Sequence, residues 1–261
     1  MDAHVEMTSL KAPLKDSPGP PSKLLWAAEL PRAAWAVASL FGARRMLDDV
    51  PRGDGRPVLL LPGLFNSDRS NFVMRRYLNR LGYRAEGWGL GRNLGARAVG
   101  AEGEKLFERI REIHARTGKP VTLIGISLGG IMARFAAHRL PGLVREVITV
   151  SAPFAGPPRA TNVWFMFELL TGDRVDSERV TAQAAEVIKP LPVPSTAIWS
   201  RSDGLVNGMI CHVEGDPQCR NIEIRSSHLG VQLRPEVLRL IADTLGGEAL
   251  AKPRASVRNS R

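Results

Sequence analysis

Cysteine is scarce in this 261-residue chain: there are two, Cys211 and Cys219. Their spacing matches neither a C-x-x-C redox pair nor a structural zinc site, so no metal is expected. A disulfide between them would need an oxidising compartment. Nothing at the start of the chain asks for one, because Met1-Asp-Ala-His-Val-Glu6 lacks the basic start and apolar run of a secretory signal. Two reduced thiols in a cytoplasmic protein are the expectation. Long apolar runs are also missing: the uncharged stretch Ala33–Ala43 is eleven residues, too short to span a bilayer. Acidic residues are outnumbered, 26 Asp+Glu against 36 Lys+Arg, which leaves a net charge of +10. Such a surplus suits an anionic partner. The arginines are spread through the whole chain, however, with no basic–aromatic cluster or zinc-finger spacing, so nucleic-acid binding is not expected. Gly89-x-Gly91-x-x-x-Gly95 misses the dinucleotide fingerprint by one residue and lacks the acidic residue that should follow. No cofactor is expected, there is no internal repeat, and nothing bears on oligomeric state.

What is present is the pattern of one large α/β domain. Short apolar runs that read as strands, Pro57–Pro62, Tyr83–Trp88, Val121–Ile126, Glu146–Val150, Ser195–Ser200 and Asn221–Arg225, alternate with helical patterns at 72–81, about 100–117, 131–140 and 235–245. The alternation gives a mostly parallel central sheet with helices on both faces. Asn66, Ser67, Asp68 and Ser70 offer N-caps to the first of these helices. Residues 1–22 read as a flexible leader, 23–50 as an apolar helical segment, 51–247 as the main domain and 248–261 as a basic disordered tail. Segment 24–47, with Trp26, Trp35, Leu40 and Phe41 and with Arg32, Arg44 and Arg45 about its uncharged run, admits two readings: an interfacial helix in peripheral contact with a membrane, or, preferred, a helix packed on the domain. The block at about 154–194 lies between two strands of the sheet and reads as a helical cap or as an ordinary crossover, the cap being preferred. Its Trp164 and Phe167, with Phe65 from a loop, are candidates to bind an apolar substrate.

Chemistry concentrates at Gly125-Ile-Ser127-Leu-Gly129. A G-x-S-x-G between a strand and a helix forms a turn that pushes its serine outward at the top of a sheet, the nucleophile elbow of the α/β-hydrolases. A serine hydroxyl needs a base to accept its proton and a carboxylate to orient that base. Downstream, Asp203 and His228 each follow a strand, in the order Ser, Asp, His that this fold uses. His212 is the rival base and Asp216 the rival acid. His4 lies in the leader, and His114 and His138 lie in helices. Backbone N–H groups of Leu128, just after the serine, and of Leu64, with Phe65 as its rival, are candidates for an oxyanion hole.

Taken together, Pro62-Gly63-Leu64, Gly125–Gly129, Ser202-Asp203-Gly-Leu-Val206 and Ser227-His228-Leu-Gly230 resemble a bacterial lipase/esterase-like α/β-hydrolase over roughly residues 56–246. The stretch Gly91-Arg92-Asn93 looks like one met in the same branch, whereas Pro62-Gly63 stands where many lipases have His-Gly. The resemblance implies an α/β-hydrolase fold with a cap insertion. It also implies metal-independent cleavage of small-molecule or lipid carboxylic esters through an acyl-enzyme. An acyltransferase or a membrane-peripheral phospholipase would use the same triad, and a non-catalytic binding module on this fold is a third reading. The first 50 residues lie outside the resemblance.

Overall fold

The computed structural model describes residues 18–247. The expected tail, His4 and most of the expected leader lie outside them. Six strands, β1 (Pro57–Leu61), β2 (Arg84–Gly87), β3 (Val121–Ile126), β4 (Val144–Val150), β5 (Ser195–Trp199) and β6 (Cys219–Glu223), form one sheet in the order β2-β1-β3-β4-β5-β6. Every neighbouring pair is parallel. Among the described residues the helices are α1 (Lys23–Ala27), α2 (Glu29–Ser39), α3 (Arg44–Asp48), α4 (Phe72–Leu81), α5 (Ala96–Val99), α6 (Glu104–Thr117), α7 (Leu128–Arg139), α8 (Trp164–Thr171), α9 (Glu178–Val187) and α10 (Pro235–Leu245).

The sheet is covered on both faces, and the sequence sorts its side chains by parity, since successive strand residues point to opposite sides. Val58 and Leu60 join Ile124 and Ile126 in one core, against Met74, Tyr77, Leu78 and Leu81 of α4 and Val237, Leu238, Ile241 and Leu245 of α10. Leu59 and Leu61 join Val121 and Leu123 in the other, against Leu106, Ile110 and Ile113 of α6 and Met132, Ala133, Ala136 and Ala137 of α7. The N-terminal segment is not appended to this body: Ala43 and Leu47 are buried within the first core.

Three local expectations shift. The sixth strand is Cys219–Glu223, two residues earlier than its alternating pattern suggests, because Cys219 pairs with Ser195 at the start of β5. The long helix begins at Glu104 after the separate turn of α5. The N-cap of α4 is Asn71, which makes no side-chain capping bond. Asp68 is drawn away from capping, since its Oδ1 and Oδ2 accept the N–H groups of Trp88 and Gly89 at 2.9 and 3.1 Å.

Topology dictates where a ligand can sit. The chain runs from β1 out to β2, returns to β3 on the other side of β1, and then steps in one direction to β6. The reversal leaves a crevice outside the carboxyl ends of β1 and β3. The helices α8 and α9 arch over it. Their far end is pinned by Arg134 of α7, which is buried and donates to the carbonyls of Val187 (2.6 Å) and Lys189 (2.8 Å) while its guanidinium lies 4.0 Å over the Phe154 ring. Burial lowers its pKa to about 10, so it stays charged at neutral pH. Hydrogen bonds from a buried charge contribute about 1.5–3 kcal/mol each. Arg134→Met is therefore expected to lower the thermal midpoint by about 6–24 °C. A calorimetric midpoint equal to that of the wild type would contradict this anchoring.

Candidate active site

The turn between β3 and α7 is built by close backbone approach. A Cβ on Gly125 would lie 2.3 Å from the Gly129 carbonyl oxygen, and one on Gly129 would lie 2.4 Å from the Leu61 carbonyl oxygen. Only glycine fits at either place. Between them Ser127 takes φ 52° and ψ −121°, a region that non-glycine residues occupy only when their surroundings enforce it. The bend turns the Ser127 side chain into the crevice.

Two loops converge on it. His228 Nε2 stands 3.1 Å from Ser127 Oγ, and His228 Nδ1 stands 2.7 Å from Asp203 Oδ2. The other oxygen of Asp203 accepts the N–H groups of Leu205 (2.9 Å) and Val206 (2.8 Å), which fixes the buried carboxylate. Ser200 ties the two loops together: its Oγ donates to Ser226 O and accepts from Ser226 N, both at 3.0 Å. Burial opposes a charge on His228. The Asp203 carboxylate, its hydrogen bond and the Glu29 charge outweigh burial and hold the His228 pKa above its ordinary 6.5.

The rivals are engaged elsewhere. His212 stacks on Trp199 with ring centroids 4.0 Å apart, and its Nδ1 is 3.2 Å from Gly208 O. Asp216 caps its own turn by accepting the Gln218 N–H at 2.9 Å. Cys211 and Cys219 are both free and buried.

The loop after β1 supplies the other wall. Asn93 is fully buried; its side-chain amide donates to Pro62 O at 2.7 Å, and its backbone carbonyl accepts the Phe65 N–H at 2.7 Å. The Phe65 amide is thereby occupied. Those of Leu64 and Leu128 have no hydrogen-bond partner among the described residues, and both residues line the cavity beside Ser127. That cavity, about 180 Å³, is large against the 10–15 Å³ that one water needs. Its walls are mainly apolar, with Trp164 and Phe167 of α8, Phe135 and Phe154 among them. Phe65 is not part of the wall: half exposed, it lies beneath the Arg92 guanidinium at 4.6 Å.

One participant was not foreseen from the sequence. Glu29 of α2 is buried and accepts three backbone N–H groups: Gly204 (2.7 Å) and His228 (3.0 Å) at Oε1, and Leu229 (2.8 Å) at Oε2. The signal was one acidic residue in an otherwise apolar helical run, which its neighbours in sequence could not explain.

No protein-family model matches the chain, and no curated protein sequence matches it. Solved structures do. Lipase BlEst2 of Bacillus licheniformis in its mature form aligns with a TM-score of 0.56 at 17% identity, over 76% of this chain and 94% of that one. Monoacylglycerol lipase of Paleococcus ferrophilus gives 0.55 at 15%, over 76% and 96%. Lipase B of Aspergillus fumigatus gives 0.55 at 19%, over 74% of this chain and 53% of that one, so the chain spans about half the length of that lipase. The architecture is that of the α/β-hydrolases.

The His228 environment carries a kinetic consequence. Only a neutral imidazole accepts the serine proton, so labelling of Ser127 by a fluorophosphonate is expected to slow as pH falls, with a midpoint above 6.5. A midpoint at or below 6.5 would contradict the field described around the ring.

Proposed function

We propose that the protein is a serine hydrolase that cleaves carboxylic esters, within a catalytic domain spanning about 51–247 and capped at about 154–194. One observation carries this reading: the hydrogen-bonded series Ser127–His228–Asp203, seated on a strained turn at the mouth of an apolar cavity. His228 Nε2 takes the Ser127 proton as Oγ attacks the acyl carbonyl. Asp203 holds the ring by Nδ1 and stabilises the imidazolium that forms. The Leu64 and Leu128 amides, unspent within the fold, receive the oxyanion. His228 then returns the proton to the leaving alcohol, and water repeats the sequence on the acyl-enzyme.

The cavity gives the reading its substrate side. Apolar walls that include Trp164 and Phe167 suit an acyl chain rather than a charged group. The lipase activities named for the similar structures agree with this.

In pure protein, Ser127→Ala is expected to lower kcat/KM on p-nitrophenyl acyl esters by at least about a thousandfold, with the fold retained. Turnover by the variant at the wild-type rate would sink the assignment. Across an acyl-length series, wild-type kcat/KM should rise from acetate to medium chains as apolar surface enters the cavity.

A further inference from the structure

α2 is inverted relative to an ordinary surface helix. Among its residues, those buried against the protein are Glu29 and Ala36. Those facing solvent include Leu30, Trp35 (68% exposed) and Val37, with Phe41 (88% exposed) just beyond the helix. α1 adds the exposed Leu24 and Trp26. A surface helix normally turns its large apolar residues inward, and a contiguous exposed set of them marks an interaction surface. The charges identify the partner. Across α1 and α2 the sole acidic side chain is the buried Glu29 and the exposed charge is Lys23; α3 then adds the exposed Arg44 and Arg45, with Asp48 and Asp49 at its end. Arg44 shares its charge with Asp48 at 3.7 Å. Tryptophans and large aliphatics flanked by basic residues are the composition of segments that lie in the plane of a bilayer interface. None of the described helices is long and apolar enough to cross one.

We propose that the outer face of α1, α2 and Phe41 docks this protein on the surface of an anionic phospholipid bilayer. The face adjoins the cap: Asn162, on the approach to α8, donates to Pro21 O at 3.2 Å. From α8, Phe165, Met166 and Leu169 are exposed as well.

Co-sedimentation of the full chain with phosphatidylcholine vesicles, with and without phosphatidylglycerol, tests this independently of any catalysis. Binding is expected with phosphatidylglycerol. It should weaken at least about tenfold in Trp35→Ser/Phe41→Ser and about fivefold for each charge removed in Arg44→Ser/Arg45→Ser. Both variants should melt as the wild type does, since the side chains are exposed. The proposal is overturned by absence of binding, by equal binding to neutral vesicles, or by undiminished binding of the Trp35/Phe41 variant. It is equally overturned if that variant abolishes self-association of a wild type that ignores vesicles, because the face would then belong to a second copy.

A separate observation concerns the inner face of the same helix. The Glu29 carboxylate bridges the turn that carries Asp203, through Gly204 N, and the turn that carries His228, through His228 N and Leu229 N. Arg32, one turn further along α2, donates to Ser202 O at 2.6 Å and Ser202 Oγ at 2.9 Å. We infer that Glu29 is a positioning residue for the hydrolytic site, holding the acid and base loops in mutual register from outside both. This rests on the reading of Ser127, Asp203 and His228 given above.

The charged groups facing His228 are Asp203, on the loop after β5, and Glu29, on α2. Glu29→Gln keeps the shape, turns one acceptor into a donor facing an N–H, and removes one of these two negative charges. Its kcat/KM is expected to fall about ten- to a hundredfold through kcat, as a small misplacement of reacting groups does. Its acid limb should move to lower pH. Glu29→Asp keeps the charge but shortens the reach, so kcat should fall while the limb stays near that of the wild type. Purely structural damage would lower stability and leave the limb of Glu29→Gln in place. NMR titration of the His228 ring reads the same coupling without turnover, so a failed clamp and a failed hydrolase are distinguishable. An unmoved His228 titration in Glu29→Gln, or kcat/KM within about twofold of the wild type, overturns the inference.

Discussion

The contact on which this molecule depends is between backbones: the first turn of α7 rests directly on the ends of β1 and β3. A side chain at Gly129 would strike the Leu61 and Pro62 carbonyls, and one at Gly125 would strike Gly129 itself. With the helix start pressed so close, the residue between strand and helix has one route open, the strained positive-φ conformation of Ser127. Such a conformation costs about 1–3 kcal/mol. The packing that offsets it lies in the following turns, where Gly130, Ala133, Ala136 and Ala137 are small enough to keep α7 buried against the sheet. The serine is thus placed by the most rigid part of the fold, and the remaining groups must be brought to it.

They arrive on loops, which hold a geometry only when their polar groups are satisfied. Three carboxylates do this by the same device, accepting pairs or triplets of backbone N–H groups. Asp68 takes Trp88 and Gly89, joining the β1 loop to the end of β2. Asp203 takes Leu205 and Val206 with one oxygen and leaves the other for His228. Glu29 takes Gly204, His228 and Leu229. Ionised acceptors make stronger hydrogen bonds than neutral ones, so each junction resists loosening more than a neutral turn would. Asn93 serves the β1 loop similarly, and by engaging Phe65 N it leaves Leu64 N open.

This division explains what could be read in the chain. Parity along β1 and β3, the i, i+3, i+4 spacing of α4 and α10, and the G-x-S-x-G turn are local, so period and motif suffice to place them. Asp203 and His228 were readable as candidates because each follows a strand in a known order. Glu29 was not: its partners lie 175 to 200 positions away in the chain, and no motif spans such a distance. The position of Phe65 outside the cavity wall was not legible for a related reason, since an aromatic side chain in a loop points where the loop's own hydrogen bonds turn it. β6 was misplaced by two residues because its register is set by β5 rather than by its own alternation.

α2 shows why the first fifty residues resisted both periodicity and resemblance. A helix folded for the core would bury its tryptophan and phenylalanine. Here the buried positions hold a carboxylate and an alanine, and the aromatic residues face outward. Helix propensity and hydrophobic burial alone would rotate this segment by half a turn. The three hydrogen bonds to Glu29 and the pair from Arg32 hold it as it is. Large apolar area left in water costs about 25 cal/mol per Å², a standing penalty that a monomer in water never recovers and that contact with an apolar surface removes. A helix is about 10 Å across, so whatever covers the outer face lies one helix diameter from the loops that carry Asp203 and His228. The outer apolar face and the hydrogen bonds to the Asp203 and His228 loops therefore belong to a single element, α2.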